Sequence, residues 1–226
     1  MTRGNVPTVS VVGVAALDEN AKSLVRGLGY SVDQAVLTQS YLRSEVALST
    51  SIASYHLPVL VNDSQNGAVR INERRLNLQD IFVASEISVL IGVGSGTSTK
   101  AALYTYPNGV IFTSATDDDL LSIYNGSLNL TINNQQVLPA WDVYRHYYVP
   151  QTQGGVGITA QTIFPVDQND GSSNGFYPVE PGIVFNGAAN INFQLTANGA
   201  PATILANSFI CLITRGILLQ NVTTIK

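Results

Sequence analysis

The chain has 226 residues and a mass of 24.1 kDa, enough for one large domain that buries roughly 70% of its unfolded surface without disulfide or metal staples. Only 12% of residues are charged, against about 25% in an average globular protein, and mean hydropathy is +0.18, so a solitary monomer would carry a sticky surface and a homo-oligomer is expected. The net charge of −4 and the pI near 5.0 exclude a global basic field drawing the chain to nucleic acid, and the single cysteine, Cys211, excludes an internal disulfide.

Residues 1–17 hold one arginine and a short β-branched apolar stretch interrupted by Asn5 and Pro7, which argues against a signal peptide. No run of eighteen apolar residues follows, so no spanning helix is expected. From Asp18 the period is helical, with Ala21, Leu24, Val25 and Leu28 on one stripe and Asp18 as the cap. Gly27 and Gly29 break it. A second helix is expected from Ser31, whose capping partner is Gln34, through Val32, Ala35, Val36, Leu42, Val46 and Ala47. Residues 1–57 thus read as an N-terminal arm of two amphipathic helices, and residues 58–226 as a single β-domain.

After Pro58 the pattern turns to strands bounded by turn residues: 58–62, 79–93, 101–106, 110–112, 127–133 with a hairpin turn at Asn133-Asn134, then 176–187, 190–199 and the terminal run. No helical pattern alternates with them. The expectation is an all-β chain, an antiparallel β-sandwich of jelly-roll type with an α-helical N-terminal extension. The terminal run from Asn207 is apolar at both parities, Phe209, Cys211 and Ile213 on one face and Ile210 and Leu212 on the other, so it reads as a strand covered on both sides. Arg215-Gly216 within it suggests a bulge where the strand leaves the core, with polar substitutions on its outer face acting mainly on association.

Motifs that would announce catalysis or a cofactor are missing in the primary structure. Gly92, Gly94 and Gly96 follow a strand, but the spacing matches neither a dinucleotide fingerprint nor a phosphate loop ending at Lys100. Asp167, Asn169, Asp170 and Gly171 depart from calcium-loop order, and Asp117, Asp118 and Asp119 fit a helix start or a solvated tip. Arg70, Arg74 and Arg75 read as a solvated loop. The two histidines, His56 and His146, cannot supply a clustered metal site, and Cys211 lacks the electropositive setting of a reactive thiol. The chain is expected to be no enzyme and to take no cofactor or metal.

The densest segment is PAWDVYRHYYVPQTQ, residues 139–153, with the sole tryptophan. Trp141, Tyr144, Arg145, Tyr147 and Tyr148 offer large rigid contact area beside a guanidinium, as subunit-interface hot spots do. The same residues could stack sugars, or cap the open end of a sandwich with Trp141 in the core.

INERRLNLQDIFVASEISVLIG, LYTYPN, LSIYNGSLNLTINN, WDVYRHYYVPQTQ, FYPVEPGIVFNGAANINFQL and TRGILLQNV together resemble the shell proteins of bacterial viruses built on the viral jelly roll, over about residues 70–222. That resemblance implies a bacteriophage capsid subunit without catalytic residues, found in the virion after assembly in the host cytoplasm. Its partners would be copies of itself and other virion proteins, with no specific nucleic-acid sequence. Tailless-phage shell proteins often carry two jelly rolls per chain, whereas this chain has room for one. The alternative is a carbohydrate-binding jelly roll, lectin-like or from a phage fibre.

Overall fold

The computed structural model describes residues 10–59, 76–94, 102–107, 112, 117–149 and 175–224. Two antiparallel sheets face each other across one apolar core. The first contains β2 (Val36–Ala47), β10 (Ser208–Gln220), β4 (Ile81–Val93), and two strands that share the far edge of β4: β5 (Ala102–Tyr104) at its end and β8 (Tyr177–Asn186) along its start. The second runs β3 (Ser54–Val59), β9 (Ile191–Thr196), β6 (Ser127–Ile132), β7 (Gln135–Asp142). A small ribbon pairs β1 (Tyr30–Ser31) with β11 (Thr223–Thr224), and two helices, α1 (Ser10–Gly27) and α2 (Asp117–Tyr124), complete the elements.

The terminal strand is buried on both faces, as its two apolar parities require. Ile210 and Leu212 enter the inter-sheet core with Phe82, Phe185 and Phe193. Phe185 and Phe193 meet edge to face at 5.9 Å across the sandwich. On the other face Ile217 and Leu219 lie under Ala21 and Val25 of α1, while Phe209, Cys211 and Ile213 pack with Leu90, Leu103 and Phe176. The outer face of β10 is therefore already covered within the chain, which corrects the expectation that polar changes there act mainly on association.

The bulge falls at Arg215-Gly216 as expected, but the strand does not leave the core there. Register shifts opposite Arg215/Gly216, and the extra residue is Ser85 of β4, whose Oγ donates to the Arg215 carbonyl at 3.3 Å. Inserting one residue switches the inward parity of β4 from Phe82 and Ala84 to Ile87, Val89 and Ile91. Gly216 is required because a Cβ there would strike the Val83 carbonyl.

The second expected helix is a strand. β2 pairs with β10 from Val36↔Gln220 to Ala47↔Phe209 without interruption, putting Leu42, Ser44 and Val46 on the core side. Helical spacing of some apolar residues loses to a long strand edge whose N–H and C=O groups need partners. The supposed capping box is replaced by a turn, with Ala35 N–H donating to the Val32 carbonyl at 3.2 Å. A boundary at 57/58 accordingly falls inside β3, and β2 before it is part of the sandwich. α1 begins well before Asp18, and it ends at Gly27 with Gly29 in the left-handed region (φ +86), so Leu28 is 59% exposed rather than on the packed stripe. Of the two readings of Asp117 to Asp119, the helix start is the one observed: α2 begins at Asp117. Its Leu120, Ile123 and Tyr124 are fully buried.

The hairpin at Asn133-Asn134 is as expected, both residues at positive φ (49 and 65). The clusters at Arg70, Arg74 and Arg75, at Gly96 to Lys100 and at Asp167 to Gly171 lie outside the described residues, as do the side chains of Asp117, Asp118 and Asp119. Among the described residues no helix is long and apolar enough to cross a membrane.

Two variants test this architecture. Gly216→Val should cost about 3 kcal/mol in denaturant unfolding, whereas Gly27→Ala, with open space around it, should stay within about 0.5 kcal/mol. Ending the chain after Asn207 removes the strand joining β2 to β4 and should abolish cooperative unfolding followed by circular dichroism.

Candidate functional site

The two sides of the sandwich differ. On one side the edge strands β2 and β3 come together, the Ser44 hydroxyl donating to the Pro58 carbonyl at 3.3 Å. On the other, the edges of β7 and β8, unpaired among the described residues, stand apart around a groove of about 640 Å³, floored by Ile132, Leu138, Val179 and Ile183 and rimmed by Val137, Trp141, Arg145, Glu180 and Pro181. β7 is suited to an edge: Pro139 cannot donate to a ladder, Ala140 sits at φ 50, and its N–H goes to the Asn129 side chain at 2.7 Å.

The aromatic segment plugs the end of this groove. β7 ends at Asp142, whose Oδ1 accepts from Tyr144 N–H at 3.0 Å and caps a 3₁₀ turn, Val143–His146, closed by Tyr147 N–H to the Tyr144 carbonyl. That turn splits the segment. Val143 and His146 are buried, and Trp141 and Tyr147 pack against the core. Tyr147 meets buried Tyr124 edge to face at 5.4 Å. Tyr144, Arg145 and Tyr148 point outward.

His146 holds the turn in place. Its Nε2 accepts from Trp141 Nε1–H at 3.0 Å, which puts the ring proton on Nδ1, and Nδ1 then donates to the Gly175 carbonyl at 2.9 Å. Burial, the largest influence, pushes its pKa down to about 4. With both nitrogens engaged, His146 is a fastener and not a poised base. Burial likewise pushes the Tyr124 phenol far up, its hydroxyl donating to the Tyr104 carbonyl at 3.2 Å.

Of the five residues singled out in the sequence, the fold brings Trp141 and Arg145 together and stacks Tyr144 on Tyr147 at 5.4 Å. Tyr148 stands apart, its main chain clipped to Thr105 by the Thr105 hydroxyl and by an N–H to the Thr105 carbonyl at 3.2 Å. The residue missed is Tyr177. Its ring meets Trp141 edge to face at 5.7 Å, and the Arg145 guanidinium lies over both, 4.8 Å from Trp141 and 5.0 Å from Tyr177. Glu180, on the same rim, was also missed. The only signal for either was FYPVEPG, with no hint of which aromatic it would meet.

Exposed His56 lies in β3 with Asn192 at 3.4 Å. Cys211 is buried. Among the described residues no three His, Cys, Asp or Glu side chains gather as a metal site requires. The chain matches no protein-family model, and comparison with curated proteins and with solved structures finds no match either.

Because folding lowers the His146 pKa from 6.5 to about 4, the fold favours neutral imidazole. The stability this gives is complete above pH 6.5 and is lost as pH falls toward 4, on the order of 3 kcal/mol. Urea midpoints measured from pH 7 to 4.5 should fall for the native chain. In His146→Gln the starting stability is lower and most of that slope is absent.

Proposed function

We propose that this chain is a virion structural protein, a single jelly-roll capsid subunit that self-assembles into a viral shell and catalyses no reaction. One observation carries the reading. Eight strands pair as a nested set: β2 with β10, β3 with β9, β4 with β8, β6 with β7. Counted in chain order, first meets last and each later strand meets the next one in, so the sheets run 1-8-3-6 and 2-7-4-5. A long hairpin rolled up in this way gives the paired Greek keys of a jelly roll, a build that viral capsid domains share with lectins.

Fold alone does not choose between those uses. Surface chemistry favours assembly. Charge is sparse at 12%, and Val36, Tyr41, Val137, Tyr144, Tyr148 and Tyr177 are large apolar groups left exposed. A sugar platform needs an open ring face, and Arg145 lies over the Trp141 ring. That contact counts against Trp141 as a sugar platform and leaves the carbohydrate reading with the shared build alone.

Light scattering and negative-stain electron microscopy of the purified chain should find rings, capsomers or shells whose population grows with protein concentration. A clean monomer at every concentration, with no particle in the micrographs, would remove the proposal.

A further inference from the structure

The open seam between β7 and β8 carries two opposite charges that do not meet. Arg145 and Glu180 line the same groove, both exposed, yet among the described residues neither forms an ion pair. The guanidinium is nonetheless held firmly. Its turn is capped by Asp142 and fastened through His146, and its central carbon lies 4.8 Å from the Trp141 ring centre and 5.0 Å from that of Tyr177. The Trp141 and Tyr177 rings stand at 77° to each other, so the guanidinium faces at most one of them, and no protein acceptor is paired with its five N–H donors among the described residues, which leaves donors for a carboxylate.

We propose that a second copy of this chain seats in the seam about a two-fold axis, so that Arg145 of each copy meets Glu180 of the other. This rests on the self-assembly reading above and names its contact. A two-fold interface is self-complementary: one groove that displays a separated cation and anion presents each to its opposite when turned on itself. The apolar floor and Val137 and Tyr177 supply burial, while the charge pairs fix register. An anionic small ligand fits less well, because Glu180 would repel it from the same rim. β-strand addition fits less well too, since Pro139 and Ala140 break the β7 edge.

Sedimentation equilibrium on four proteins tests the contact: the native chain, Arg145→Glu, Glu180→Arg and the double reversal. Both positions are exposed, and thermal unfolding of each variant checks that the fold is intact. Each single reversal should weaken association about 100-fold by setting like charges opposite each other twice per interface. The double reversal should restore it, and the two single variants mixed should associate with each other. Native association should also weaken as salt rises from 0.05 to about 0.5 M. If single reversals associate like the native chain, or if the double reversal and the mixture stay as weak as the singles, the seam contact is wrong while assembly itself stands. If the native chain never associates, the assembly reading fails first.

Discussion

β10 is the constraint on which the fold turns. A strand apolar at both parities has to be covered on both faces, and buried backbone leaves its N–H and C=O groups no water to bond. β2 and β4 take its two edges. The inter-sheet core takes one face, and α1 with Phe176 and Leu103 takes the other. Tying β10 to β2 joins a late part of the chain to an early one, and each remaining hairpin then nests inside that closure. The order of both sheets follows from this first pairing.

One inserted residue reconciles β4 with this arrangement. Phe82 and Ala84 face inward at its start, Ile87, Val89 and Ile91 further on, and no regular strand can present both sets to one side. Ser85 absorbs the difference, and Gly216 lets the facing backbone approach. On its other edge β4 also loses register against β8 between Ala84 and Glu86, where the partners pass from Ile183 to Pro178 and the surplus residues lie in β8. Past Tyr177 the ladder to β8 stops, and β5 takes over only at Ile91. Gly175 lies in that interval beside Thr105 and Ser88, and its carbonyl receives His146. The aromatic turn is thus fastened along the β8 edge of β4, opposite the edge on which Ser85 meets Arg215.

What the sequence made legible was what is decided locally. Positive φ at Asn133 and Asn134 belongs to the turn itself, and alternation in β6, β8 and β9 belongs to strands with one face inward. β2 was misread because Val32, Ala35, Val36, Leu42 and Val46 fit a helical stripe loosely, and the term that overrides it is a partner far along the chain. For α2 only the start was legible, at Asp117 to Asp119, and only as one of two readings, because eight residues are too few for a periodic signal. In the site, composition marked Trp141 and Arg145 but not His146 between them and the core, and the roles of all three depend on Gly175 and Tyr177, which arrive at the start of β8. Residue types were readable there; the division into fastener and displayed group was not.

That division bears on how so neutral a surface could choose a partner. Apolar contact is non-directional and tolerates sliding, so a chain with few charges gains adhesion more easily than register. A guanidinium lodged against two rings has lost much of its rotamer freedom before any partner arrives, and ordering it on contact costs correspondingly little. Asp142 and His146 contribute indirectly by holding the turn that carries it. On this view the buried histidine and the exposed arginine are one device: His146 spends both nitrogens inside the chain so that Arg145, one residue before it, is displayed in a fixed place at the mouth of an apolar groove. In the proposed contact, specificity would reside in these few positioned charges, and the core beneath would serve to keep them still.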